Sequence, residues 1–146
     1  MALECIKGSE IDFESIEKVN KVVFNEENSV EKMKNRLATY RNCFISLCKD
    51  EGKVAGYAFG YEKKGKYYLW MMGVLPEHRG KGIGKKLLAH QESFAREQGY
   101  DSMYVKSSNK WKSMLVLLLK NGFDFIGFKE NEWKNSPALW LEKKLK

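Results

Sequence analysis

The sequence has no apolar run near the roughly 20 residues that span a bilayer. Its start, "MALECIKGSE", has no basic segment followed by an apolar one, so neither a membrane span nor a secretory leader is expected. Prolines are only two, Pro76 and Pro137, each read as the close or opening of a strand. The three cysteines, Cys5, Cys43 and Cys48, are an odd number at no metal-ligand spacing. That argues against a disulfide framework and a metal site, and places the chain in a reducing cytoplasm. The two histidines, His78 and His90, are read as surface residues. Acid is the scarcer charge: 19 Asp and Glu against 26 Lys and Arg leave a formal +7. A lysine-rich solubilising surface accounts for that excess, and it also fits an anionic ligand. A nucleic-acid partner would need a recognition motif or a basic-aromatic stripe, and neither is found.

With 146 residues and 43% hydrophobic content, the chain is read as one domain, 1–146, large enough for a real core. A short strand (3–7) precedes a helix capped by Ser9 or Asp12, with Ile11, Ile16, Val19, Val23 and Phe24 inward. "NEEN" interrupts it, and a second helix runs from Ser29 to about Tyr40. "CFISLCKD", "KVAGYAFGYE" and "YYLWMMGVL" alternate as three strands of an antiparallel meander, joined by "DEG" and "KKGK". A helix ending at Gly99, a strand "DSMYVKSS", a helix "NKWKSMLVLLLKNG", and strands "FDFIGF" and "ALWLEKKL" complete the order. The expected class is α/β: a mixed, mostly antiparallel sheet of about six or seven strands with about four helices on both faces.

The segment that carries chemistry is "VLPEHRGKGIGKKLL", residues 74–88. A strand, a glycine loop and a helix start form a place to hold phosphate. The first N–H groups of a helix lack intrahelical partners and sit at the positive end of its dipole. Glycines let an anion approach the backbone. A Walker A loop is excluded, because three residues separate Gly80 from Gly84 and Lys85 is followed by Lys86 rather than a hydroxyl. A dinucleotide fingerprint is excluded as well, because Lys85 stands where its last glycine belongs.

The pattern that fits is R-x-x-G-x-G at Arg79, Gly82 and Gly84, after an apolar strand ending in "GVLP". It resembles motif A of the GNAT superfamily of N-acetyltransferases, and the element order and "YVKSSNKW…LKNGF" resemble the same family. The resemblance implies acetyl-CoA as co-substrate, an amine as acceptor, and no metal. It implies that the Met72, Gly73 and Val74 backbone pairs with the pantetheine arm. Arg79, Gly80, Lys81, Gly82, Ile83, Gly84 and Lys85 would take the pyrophosphate, with Asn109 as a further cofactor contact or a helix cap.

The chain departs from the family at the catalytic groups. The tyrosine that many members use to protonate the thiolate falls at Val116 or Leu118, depending on the count. The strand "KYYLWMMGV" holds no acid, and the usual glutamate position falls near Tyr68. Tyr68, Glu26, Glu27 and Glu132 therefore stand as catalytic candidates, with Glu130 beside them. Tyr68, Trp70, Tyr104 and Trp133 are candidates to wall the acceptor pocket. The acidic loops tilt the acceptor toward a cationic small amine. A cysteine nucleophile is not supported. The alternative is an acyl-CoA sensor that has lost its chemistry. Pairing of two copies through "KENEWKNSP" and the last strand is left open.

Overall fold

Strand β1 (Leu3–Lys7) leads through a 3-10 turn (Glu10–Asp12) into helices α1 (Phe13–Phe24) and α2 (Ser29–Thr39). Strands β2 (Phe44–Asp50), β3 (Lys53–Lys63) and β4 (Lys66–Val74) follow. Then come α3 (Ile83–Glu97), β5 (Ser102–Ser107), α4 (Lys112–Lys120), β6 (Asp124–Trp133) and β7 (Ser136–Lys144). The computed structural model describes residues 3–26, 29–133 and 136–146, without the side chains of 131–133.

The seven strands form one sheet in the order β1-β2-β3-β4-β5-β7-β6. The β2-β3-β4 meander is antiparallel, as expected. Its two-residue loops, Glu51-Gly52 and Lys64-Gly65, both sit at positive φ, which suits the right-handed twist of a hairpin. β5 joins β4 in parallel, and β7 inserts between β5 and β6.

Apolar side chains of the strands alternate to the two faces and meet helices on each. Under α3 and α4 lie Leu69, Ile83, Leu87, Met103, Val105, Leu118 and Leu141. Under α1 and α2 lie Phe13, Ile16, Val19, Met33, Leu47, Tyr57, Phe59 and Tyr61. Each such buried side chain contributes roughly 1.5–3 kcal/mol.

The sheet opens in the middle. Parallel pairing of β4 with β5 is confined to Tyr67↔Met103, Tyr68↔Tyr104 and Leu69↔Val105. Beyond that point β4 stays with β3 and β5 with β7. The separation coincides with a bulge in β4: Phe59 faces Met71 and Gly60 faces Leu69, leaving Trp70 as the extra residue. Alternation therefore fails there. Trp70 and Met71 both join the α1–α2 face, while Leu69 and Met72 join the other.

Just beneath the bulge, Gln91 of α3 is fully buried. Its Nε2 donates to the Phe44 carbonyl (3.1 Å), Ser46 Oγ (2.9 Å) and the Ala58 carbonyl (3.3 Å), while its Oε1 accepts from the Tyr67 hydroxyl. Every arm of the amide is thus satisfied. A Cβ at Gly60 would lie 2.3 Å from the Tyr67 oxygen and 2.7 Å from Gln91 Oε1, so only glycine fits.

Four expectations shift. Ile11 is not inward but 86% exposed, because it lies in the 3-10 turn, out of register with the helical face. The Asp12 carboxylate accepts from the Ser9 N–H (2.9 Å), so both candidate caps act on that turn. The last helix begins at Lys112, which leaves Asn109 outside it and rules out its capping role. β6 and β7 are longer than expected and pair closely, with Pro137 inside β7.

Candidate active site

A cleft of about 1270 Å³ follows the opening between β4 and β5. Residues of α1 and α2 line it on one face, including Phe24 and Arg36. On the other face lie the loop before α3 and the first turns of α3 and α4. Between them run β4 from Tyr68 to Val74 and β5 at Val105, Lys106 and Ser107. The cleft therefore reaches through the sheet rather than resting on it.

At the α3 end, Pro76–His78 forms a 3-10 turn, and Arg79 Nε donates to the Val74 carbonyl (3.3 Å). Gly80 and Gly82 have φ of 82° and 81°, with no atom within 4 Å of where a Cβ would stand. That combination leaves room for an anion at the start of α3, where the first N–H groups have no helical acceptor. Met72, Gly73, Val74, Arg79, Gly80, Gly82, Ile83, Gly84 and Lys85 all line this end.

Lys81 and Asn109 do not line the cleft. The Lys81 ammonium turns away to Asp50 (2.7 Å), which also meets His78 Nδ1 (2.8 Å). Asp50 is buried, and hydrogen bonds from Lys81 and then His78 hold its carboxyl below the usual range. This cluster ties the loop to the end of β2. Asn109 is exposed in the turn before α4, and Ser107, Ser108, Lys110 and Trp111 line the cleft there.

On α4 the residues that line the cleft are Lys112, Ser113, Met114 and Leu117. Val116 is half exposed and Leu118 is buried in the core. Neither register count lands on a lining position, and none of the lining side chains of α4 is a tyrosine.

The α1–α2 end is aromatic. Tyr68 stacks on Tyr104 at 4.8 Å and meets Tyr61 edge-on at 5.5 Å. Burial raises the hydroxyl pKa of Tyr68 and pushes Tyr104 up to about 12, so both keep their protons. The Arg36 guanidinium carbon lies 4.6 Å from the centre of the Trp70 ring. Its Nε is buried without a hydrogen-bond partner. Phe24 closes edge-on against Trp111 at 5.0 Å, joining α1 to the segment before α4.

Of the acidic candidates, Glu26 lines the cleft and is ion-paired with Lys32, while Glu130 is exposed. Glu27 lies outside the described residues, as do the side chains of Glu132 and Trp133. The one described acid lining the cleft already has a cation, so the tilt toward a cationic acceptor finds no support among the described residues. The histidines also differ from expectation. His78 is bound to Asp50, and His90 is partly buried edge-on against Phe44 at 5.1 Å, where burial lowers its pKa. All three cysteines are free, and burial pushes Cys5 up to about 12 and raises Cys43. Among the described residues no group of three or more His, Cys, Asp or Glu is placed to hold a metal.

Arg36, Lys63, Lys106 and Trp111 are lining residues that the sequence did not single out. A basic residue every few positions on a polar helix gives no local sign that one of them faces an aromatic ring.

Residues 12–123 match the family described as "Acetyltransferase (GNAT) family". Over 54 residues the chain is 39% identical to streptothricin acetyltransferase of Streptomyces lavendulae, a stretch covering 37% of this chain and 29% of that protein. The chain matches less than a third of the length of the curated relatives. Among solved structures, it is similar to the ribosomal-protein-S18-alanine N-acetyltransferase of Escherichia coli, with a TM-score of 0.88 and 14% identity over 99% of this chain and 94% of that one. It is also similar to yncA of Salmonella typhimurium, solved with its cofactor acetyl-CoA, with a TM-score of 0.81 and 17% identity over 100% and 95% of the two chains.

Proposed function

The chain belongs to the Acetyltransferase (GNAT) family, and from that premise we propose that it transfers the acetyl group of acetyl-CoA to a primary amine by direct attack in a ternary complex. The observation that supports this most is the cleft passing through the sheet, with an anion-ready helix start on one face and an aromatic pocket on the other. Arg79 to Lys85 would take the pyrophosphate, and the open edge of β4 at Met72–Val74 would pair with the pantetheine arm as an added strand.

The amine nitrogen attacks the thioester carbonyl; a C–N bond forms, the C–S bond breaks, and CoA leaves as its thiolate. Free main-chain N–H groups on β4 beyond the split would steady the oxyanion. A thiol of pKa about 8.5 is a tolerable leaving group without a tyrosine donor, which fits an α4 that presents Lys112, Ser113, Met114 and Leu117. The attacking amine must lose a proton, and Glu26 is the described carboxylate in reach of the cleft to relay it.

The test is release of free CoA thiol from acetyl-CoA across a library of amines. Release above the no-amine rate supports the transferase. Binding of acetyl-CoA with no such release sinks it and favours an acyl-CoA sensor, the reading that the missing tyrosine on α4 keeps alive. The three free cysteines suit a cytoplasmic setting, and no helix among the described residues is long and apolar enough to cross a membrane. Exposed Phe125, Ile126 and Phe128 on the edge strand β6 are where a second copy would pair. Sedimentation of Phe128→Glu as a monomer against a dimeric parent would support that.

A further inference from the structure

We infer that the amine acceptor carries a carboxylate, held by Arg36, so that the substrate class is a small amino acid with an apolar body. This rests on the acetyltransferase reading and deepens it. Arg36 lines the cleft from α2, on the face opposite the glycine loop. Its guanidinium carbon lies 4.6 Å from the centre of the Trp70 ring and 6.0 Å from that of Tyr40. No carboxylate pairs with it among the described residues, and its Nε is buried with no acceptor. A buried guanidinium donor left without an acceptor is costly, and its planar fork matches a carboxylate better than any other small group.

The position sets the spacing. Trp70 is the bulged residue one step past Leu69, where β4 and β5 part. A carboxylate on Arg36 therefore leaves the amine only a short spacer from the opening through which the thioester is reached. Tyr61, Tyr68 and Trp70 line the space between, which suits an apolar side chain. The one described acid lining the cleft, Glu26, is already engaged by Lys32, so the local charge welcomes an anion.

Two measurements test this separately from the parent reading. In turnover, free phenylalanine and leucine are compared with their amides, using CoA thiol release. The amides have less basic amines and more free base at neutral pH, so intrinsic reactivity favours them. A kcat/KM about 10- to 100-fold higher for the free acids supports the inference; amides equal to or faster than acids overturn it while leaving the transferase intact. In binding, calorimetry of CoA-loaded protein compares N-acetyl-phenylalanine with its amide, which needs no turnover. Tighter binding of the acid, reduced to parity in Arg36→Met and partly kept in Arg36→Lys, supports the inference. Parity in the parent protein overturns it, even if no amine is ever acetylated. Melting curves of the variants show that they fold.

Discussion

The two ends of the cleft are built from different material. The end at α3 is made of main chain: glycines at positive φ, a helix start and an open strand edge, all within residues 72–85. The end at α1 and α2 is made of side chains, Arg36, Tyr61, Tyr68 and Trp70, brought together from three separate elements. A backbone site depends on local conformation and tolerates changes around it. A side-chain site depends on packing and can be rebuilt for another substrate without disturbing its neighbour.

The comparison can be broken most severely at Gly82. Its φ of 81° is costly for any residue with a Cβ, and a side chain there fills the space meant for the anion. Gly82→Val should weaken CoA binding by about 100-fold or more, from strain of roughly 1–2 kcal/mol plus the lost N–H contacts; calorimetry that finds unchanged affinity would remove the pyrophosphate site from this loop.

At the other end, the reaction should report the acceptor's own proton. With the Tyr68 hydroxyl held neutral by burial, kcat/KM should rise about tenfold per pH unit below the pKa of the acceptor amine. A flat profile over that range would show that deprotonation of the amine does not limit the reaction.

Between the ends, Gly60 faces Leu69, the last residue of β4 that pairs with β5. Gly60→Ala pushes a methyl into the Tyr67–Gln91 pair and should cost about 1–3 kcal/mol in urea unfolding. No change in midpoint would show that the pair relaxes freely.

The mildest effect is expected at Asp50, which touches the α3 end only through the loop. Asp50→Asn should weaken CoA binding by about 3- to 10-fold with little change at the acceptor end. Because the folded carboxyl titrates below the usual range, its stabilising contribution is present above about pH 4 and lost as pH falls through the folded value. The variant's stability should therefore fall less steeply in acid than the parent's.

This division also explains what the sequence could reveal. Motif spacing at Arg79, Gly82 and Gly84, with hydrophobic periodicity, was enough to place the element order and the loop. Local patterns of that kind are written along one stretch of chain. Arg36 carries no such mark, since its meaning arises only when α2 crosses the bulge at Trp70. The turn of the Lys81 side chain toward Asp50 is unmarked for the same reason, because Asp50 lies 31 positions earlier. The counted positions on α4 failed because that helix starts at Lys112, three residues later than the turn-forming Asn109 suggests.

The extra residue in β4 has a kinetic consequence. It opens the sheet from both faces, so donor and acceptor have separate entrances. Neither then obstructs the arrival of the other, and initial-rate plots should intersect rather than run parallel. Each product should compete only with the substrate that shares its doorway: CoA against acetyl-CoA, and the acetylated amine against the amine.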